Sequence, residues 1–92
     1  MSILNTEQKR FYDLVSKYPN ISALWDWNTA SFRVEDYEKA LKVMSSREVT
    51  LARFFAGLWS DEHSGVGLFD VVQLDRKERE MIIRWMEDPF WP

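Results

Sequence analysis

The chain has 92 residues, of which 46% are hydrophobic and 15% aromatic, and its formal net charge is −3. This composition argues against intrinsic disorder, because disordered chains combine few aromatic residues with a large net charge. No cysteine is present, which excludes a disulfide framework and a thiolate zinc site. The length fits one domain spanning residues 1–92.

The charge pattern also limits the expected partners and compartment. Neither half of the chain is basic, and binding to a phosphate backbone depends on clustered lysine and arginine, so nucleic acid is not an expected partner. No apolar stretch reaches the roughly 20 residues that span a bilayer, and no membrane association is expected. The N-terminus lacks the basic and apolar pattern of a secretory leader, which favours a cytoplasmic protein.

A first helix is predicted over residues 6–18. Asn5 or Thr6 is suited to be its N-cap. Pro19 ends the helix, because the residue before a proline is disfavoured in the helical conformation. The buried stripe, at helical spacing, consists of Phe11, Leu14, Val15 and Tyr18.

The segment 20–33 carries two conflicting patterns. Ile21, Leu24 and Trp25 fit one turn of a helix. A strand-like alternation is equally present, at Ile21, Ala23, Trp25 and Trp27. We favour a short helix or turn, because a lone strand would have no obvious partner in the chain to satisfy its backbone groups.

Two consecutive helices are predicted next, an amphipathic one over 34–44 and a central one over 46–60. Ser45 and Glu48, three residues apart, form a capping box at the start of the central helix. Apolar residues cover most of the circumference of this helix, so we expect it to be mostly buried. Its remaining polar residues form one narrow stripe, consisting of Thr50, Arg53, Gly57 and Ser60.

A last helix is predicted over residues 75–87, with Asp75 and Glu78 as a second capping box. Its inward side is predicted to consist of Met81, Ile82, Trp85 and Met86. Together these elements predict an all-α fold. We expect a small single-domain bundle of four main helices around the mostly buried central helix at about 46–60, with short extra helical turns.

The one cluster of metal-ligating residue types lies in the segment 61–70. Asp61, Glu62 and His63 stand there together, with Asp70 nearby. Zinc and calcium sites need three or four ligands at a defined spacing, and His63 has no nucleophile beside it as a catalytic triad requires. We expect a solvated loop, with no catalytic residue, no cofactor and no metal. The alternative is a small enzyme or metal-binding protein that uses this loop.

Arg53 is the only charged residue in the middle of the apolar central helix. Its side chain could extend over the edge of the core to water or to a carboxylate such as Asp26. Alternatively, its planar guanidinium anchors an acidic group of a partner.

Aromatic residues are the other candidates for partner binding, because tryptophan is enriched at binding hot spots. The C-terminal Phe90 and Trp91 either fold back over the helices or dock to another molecule. The predicted partner-binding residues are Trp25, Trp27, Arg53, Phe90 and Trp91. We therefore expect a small adaptor or regulator, without catalytic activity of its own, that binds another protein or a second copy of itself in a homodimer.

A second functional hypothesis is a small nucleic-acid-associated regulator that makes contact through its last helix. The densest basic group of the chain lies there, at Arg76, Lys77, Arg79 and Arg84. Acidic residues are threaded through this group, so a mixed-charge helix surface is the expected structure.

Overall fold

The computed structural model describes residues 3–60 and 65–92. This part of the chain is mostly helical and includes one small antiparallel sheet. Its elements, in chain order, are α1 (Thr6–Val15), α2 (Pro19–Ser22), β1 (Trp25–Asp26), β2 (Ser31–Phe32), α3 (Val34–Leu41), α4 (Ser46–Trp59), α5 (Leu68–Val72) and α6 (Arg76–Glu87).

Helix α1 confirms the first predicted helix, and its N-cap is Asn5, one of the two predicted candidates. The Gln8 backbone N–H donates to the Asn5 side chain at 2.8 Å, and the Asn5 N–H donates to the Gln8 side chain at 3.1 Å. The helix ends at Val15, three residues before the predicted end. Pro19 begins α2, and the preceding Tyr18 lies outside the helical region.

The segment after α2 is a β-hairpin, so the predicted short helix or turn is wrong from residue 25 onwards. Trp25 pairs with Phe32 and Asp26 with Ser31. The Arg33 N–H continues this pairing by donating to the Leu24 carbonyl at 2.8 Å. Strand β1 therefore finds its partner in β2, which begins six residues further along, and the mostly helical fold includes this small sheet.

A polar turn closes the hairpin. The Asp26 carboxylate accepts hydrogen bonds from the backbone N–H groups of Asn28 at 3.0 Å and Thr29 at 3.3 Å. Such side-chain bonds to the following backbone are a standard means of stabilising a turn. The last turn residue, Ala30, lies in the left-handed region with φ 53°.

Replacing Ala30 with glycine is expected to raise the free energy of unfolding by about 0.5–1 kcal/mol, because glycine adopts positive φ without the steric cost that Cβ imposes. Chemical denaturation measures the change. Ala23→Gly is the matched control, since Ala23 is exposed and has φ −66°. The control should instead lose stability, and a loss in both variants would show that Ala30 bears no strain.

Helix α4 begins as predicted, at the capping box of Ser45 and Glu48. The Glu48 side chain accepts a hydrogen bond from the Ser45 backbone N–H at 3.3 Å and one from the Ser45 hydroxyl at 3.1 Å. These bonds lower the pKa of Glu48. The stability they provide is present above the ordinary pKa of a glutamate and is lost as the pH falls through the lowered pKa.

More buried hydrophobic side chains come from α4 than from any other element of the described chain. They are Leu51, Ala52, Phe54, Phe55, Ala56 and Leu58. Phe11 of α1 meets Phe55 edge to face at 5.8 Å between ring centroids, and Trp25 of the hairpin at 5.2 Å. The three elements therefore share one aromatic core.

Candidate functional site

An open groove lies between α4, α5, α6 and the C-terminal tail, with a volume of about 410 Å³. We call it the apolar groove. Phe54 and Leu58 of α4 contribute to it, together with Gly57. Its other main lining residues are Leu68 and Val71 of α5, Ile82, Trp85 and Met86 of α6, and Trp91 of the tail. Arg53 lies among these apolar residues as the one charged group of the lining within ranges 3–60 and 65–92.

Three large apolar side chains of this groove are exposed to solvent. Leu68 is 81% exposed, Trp91 61% and Met86 56%. Helices α5 and α6 carry further exposed apolar residues outside the lining, namely Phe69, Val72 and Ile83. Exposed apolar surface of this kind is typical of a binding site, because burying it against a partner removes it from water.

Helix α5 explains part of this exposure. It has only five residues and none of them is buried. The Arg79 guanidinium holds the C-terminal end of α5 by donating to the carbonyls of Val72 at 3.0 Å and Leu74 at 2.8 Å. Leu74, just after the helix, is the residue that enters the core.

Met86 departs from its predicted inward position. Ile82 is buried and Met81 and Trp85 are half-buried, in agreement with the prediction for α6, but Met86 is exposed. Its position in the last turn, beside the apolar groove, leaves it without a covering element in the described chain. The sequence periodicity places Met86 on the apolar side of α6, but it does not show whether another element covers that side.

Arg53 is exposed and forms no ion pair with any residue in ranges 3–60 and 65–92. Asp26, the carboxylate suggested from the sequence as a partner of Arg53, instead lies 3.8 Å from the Arg33 guanidinium. The polar stripe of α4 thus faces the groove at Arg53 and Gly57. Thr50 is buried, and its hydroxyl donates to the Ser46 carbonyl at 3.1 Å.

Trp25 and Trp27 lie away from the apolar groove, against the aromatic core. Trp25 is 2% exposed and stacks on Trp27 at 5.8 Å between ring centroids. Trp27 is half-buried, and its indole N–H donates to the Ser22 carbonyl at 3.1 Å. These two residues therefore pack against each other and against Phe11 of the aromatic core.

The two tail aromatics have different environments. Phe90 is buried, and the Arg10 guanidinium lies over its ring at 4.2 Å from the centroid. The Trp85 indole N–H donates to the Phe90 carbonyl at 3.0 Å, which fixes the tail to α6. Trp91 is exposed and meets Trp85 edge to face at 5.2 Å. Of the two, Phe90 folds back over the helices and Trp91 stays at the surface.

The segment with Asp61, Glu62 and His63 is predicted to be a solvated loop, with metal binding as the alternative, and these three residues lie outside the described ones. Asp70 is described and exposed. Across ranges 3–60 and 65–92, no group of three or more histidine, cysteine, aspartate or glutamate side chains is arranged to hold a metal. In the same ranges, no helix has the length and apolar character needed to cross a membrane.

Comparison of the chain with protein-family models, curated proteins and solved structures finds no match. A functional proposal therefore rests on the geometry and chemistry of this chain. Within the described residues, the apolar groove brings together two of the five predicted partner-binding residues, Arg53 and Trp91. It adds Leu68 and Met86, for which the sequence offered only apolar character as a signal.

Proposed function

We propose that the protein is a small cytoplasmic interaction module, an adaptor or regulator without catalytic activity of its own, which binds an amphipathic helix of another protein in the apolar groove. The observation that carries the proposal is the exposure of Leu68, Met86 and Trp91 around one open groove. A helix that inserts apolar side chains at i, i+3 and i+4 is a common ligand of such grooves.

Arg53 defines the chemistry of the partner more closely. Arg53 is the charged residue among the otherwise apolar described residues of the lining, and no carboxylate of the described chain forms an ion pair with it. A planar guanidinium binds a carboxylate through two parallel hydrogen bonds, which fixes orientation as well as adding affinity. The proposed partner helix therefore carries an aspartate or glutamate at the edge of its apolar side.

The proposal includes an architecture in which α1, α3 and α6 form a bundle around α4. Its support is the burial of seven residues of α4, more than on any other helix of the described chain. In this arrangement α4 supplies the floor of the groove through Phe54 and Leu58. Phe54 and Leu58 are buried in the core, so fewer side chains have to be ordered on association, which favours binding.

Selection from a displayed peptide library tests the proposal, with peptides of about 16 residues so that each spans four to five helical turns. Wild-type protein is the target, and Met86→Glu is the counter-target. We expect enriched peptides to share apolar residues at helical spacing and one acidic residue. Met86→Glu should weaken their binding at least about tenfold, because hot-spot anchors contribute on this scale.

Val43→Glu is the matched control, since Val43 is 86% exposed and does not line the groove. It should leave peptide affinity unchanged, while Arg53→Lys should weaken only peptides that retain the acidic residue. Equal binding by wild type and Met86→Glu would refute the proposal. So would a wild-type dimer in light scattering that Met86→Glu converts to monomer, because the occupant would then be a second copy.

A further inference from the structure

A second groove, between α1 and α6, has a volume of about 720 Å³ and a different chemistry. We call it the basic groove. Its cationic residues are Arg10, Lys17, Lys77 and Arg84, and its acidic residues are Asp13 and Glu80. Four cations against two carboxylates leave a surplus of two positive charges, in a chain whose net charge is −3. Positive charge is therefore concentrated here against the overall balance of the protein.

Most of these cationic side chains form no ion pair within the described chain. Lys17, Lys77 and Arg84 form no ion pair with any residue of ranges 3–60 and 65–92. Of the two carboxylates, Glu80 is already bound by Arg76 at 3.0 Å. Lys17, Lys77 and Arg84 thus line the groove without a direct ion pair to a described residue, and an external anion can pair with them.

Apolar and aromatic side chains complete the lining of the basic groove. Leu14 of α1 and Met81 of α6 are half-buried there, and Trp85 joins them. Burial, followed by the nearby Glu78 carboxylate, raises the pKa of Tyr18. Its hydroxyl is protonated at neutral pH.

We infer that the basic groove binds an acidic peptide segment, whose carboxylates pair with Lys17, Lys77 and Arg84 while an apolar side chain packs on Leu14 and Met81. Spaced carboxylates suit this lining, because they can avoid Asp13 and Glu80. A nucleic-acid strand suits it less, since its continuous phosphates would meet both carboxylates. The inference is independent of the apolar groove, because Trp85 is the only described residue that lines both grooves.

Fluorescence polarisation with a labelled peptide of Glu-Glu-Leu repeats tests the inference. A length of about 8 residues is sufficient, because an extended peptide covers about 3.3 Å per residue and a helix of the length of α6 is about 18 Å long. We expect binding that weakens as salt rises, and an affinity about tenfold lower for the double variant Lys77→Glu/Arg84→Glu. The salt dependence follows because the three cations are at the surface.

The matched control is Lys39→Glu/Lys42→Glu, which makes the same change in net charge at exposed positions of α3 and its C-cap, outside the groove. This control should retain wild-type affinity within about twofold. Thermal unfolding of both double variants establishes that each is folded, and Lys17→Glu provides a single-site check. Equal weakening by both double variants, or equal binding of a Lys-Lys-Leu peptide, would overturn the inference. Stronger competition by a single-stranded oligonucleotide than by unlabelled peptide would overturn it in favour of nucleic acid.

Discussion

Replacing Phe11 with alanine is expected to lower the free energy of unfolding by about 3–5 kcal/mol, the range for removing a buried phenylalanine. Phe11 is fully buried. Its ring also lies within aromatic contact distance of Trp27, at 6.0 Å, and of Trp59, at 5.5 Å. The substitution therefore leaves a cavity where α1, the hairpin and α4 meet, and denaturant unfolding measures its cost.

Two further substitutions distinguish loss of packing from a general weakness of α1. Phe11→Leu should cost less than Phe11→Ala, because leucine fills part of the cavity. Tyr12→Ala should also cost less, since Tyr12 is 40% exposed and its ring meets the half-buried Trp27, at 4.9 Å between ring centroids. Similar losses for Phe11→Ala and Tyr12→Ala would contradict the central position given to Phe11.

Glu78→Ala is the substitution with the second-largest expected effect, a loss of about 2–3 kcal/mol. The Glu78 side chain is 5% exposed, and Arg47 donates to its two oxygens at 2.8 and 3.2 Å. The same carboxylate accepts the Asp75 backbone N–H at 3.1 Å, which completes the cap of α6. Alanine removes the ion pair and the cap together, and equilibrium unfolding in urea measures the result.

Glu80→Ala is the control for this prediction, because it makes the same chemical change on the same helix. Glu80 pairs with Arg76 four residues earlier, and their side chains are 44% and 85% exposed. Exposed pairs of this kind contribute little, so the control should lose no more than about 0.5 kcal/mol. If Glu78→Ala cost no more than Glu80→Ala, the link between α4 and α6 through Arg47 would have no importance for stability.

The helix starts could be predicted from the sequence because their determinants are local. Each capping box joins residues three positions apart, so Ser45 with Glu48 and Asp75 with Glu78 are visible without knowledge of the fold. The helix ends were predicted less accurately, since α3 ends at Leu41 instead of residue 44. A helix end depends on what packs against its last turn, which a local pattern does not contain.

The hairpin was missed, although a strand-like alternation leads into β1, because the two-residue strand β2 is too short to be recognised as a partner strand. The available signal was the turn chemistry of Asp26, Asn28 and Thr29. The apolar groove was missed for a different reason. Periodicity identifies which side of a helix is apolar, but exposure depends on which other elements cover that side, and Met86 and Leu68 are left uncovered by the described chain.

A titration of the isotope-labelled protein with one selected peptide, followed in ¹H–¹⁵N spectra, tests the central proposal most directly. Trp85 lines both grooves, so its indole signal reports binding in either. The proposal predicts further shifts at Trp91 and Leu68 of the apolar groove, with Lys17 and Lys77 of the basic groove unchanged. Shifts confined to the basic groove, or no shifts at saturating peptide, would contradict it.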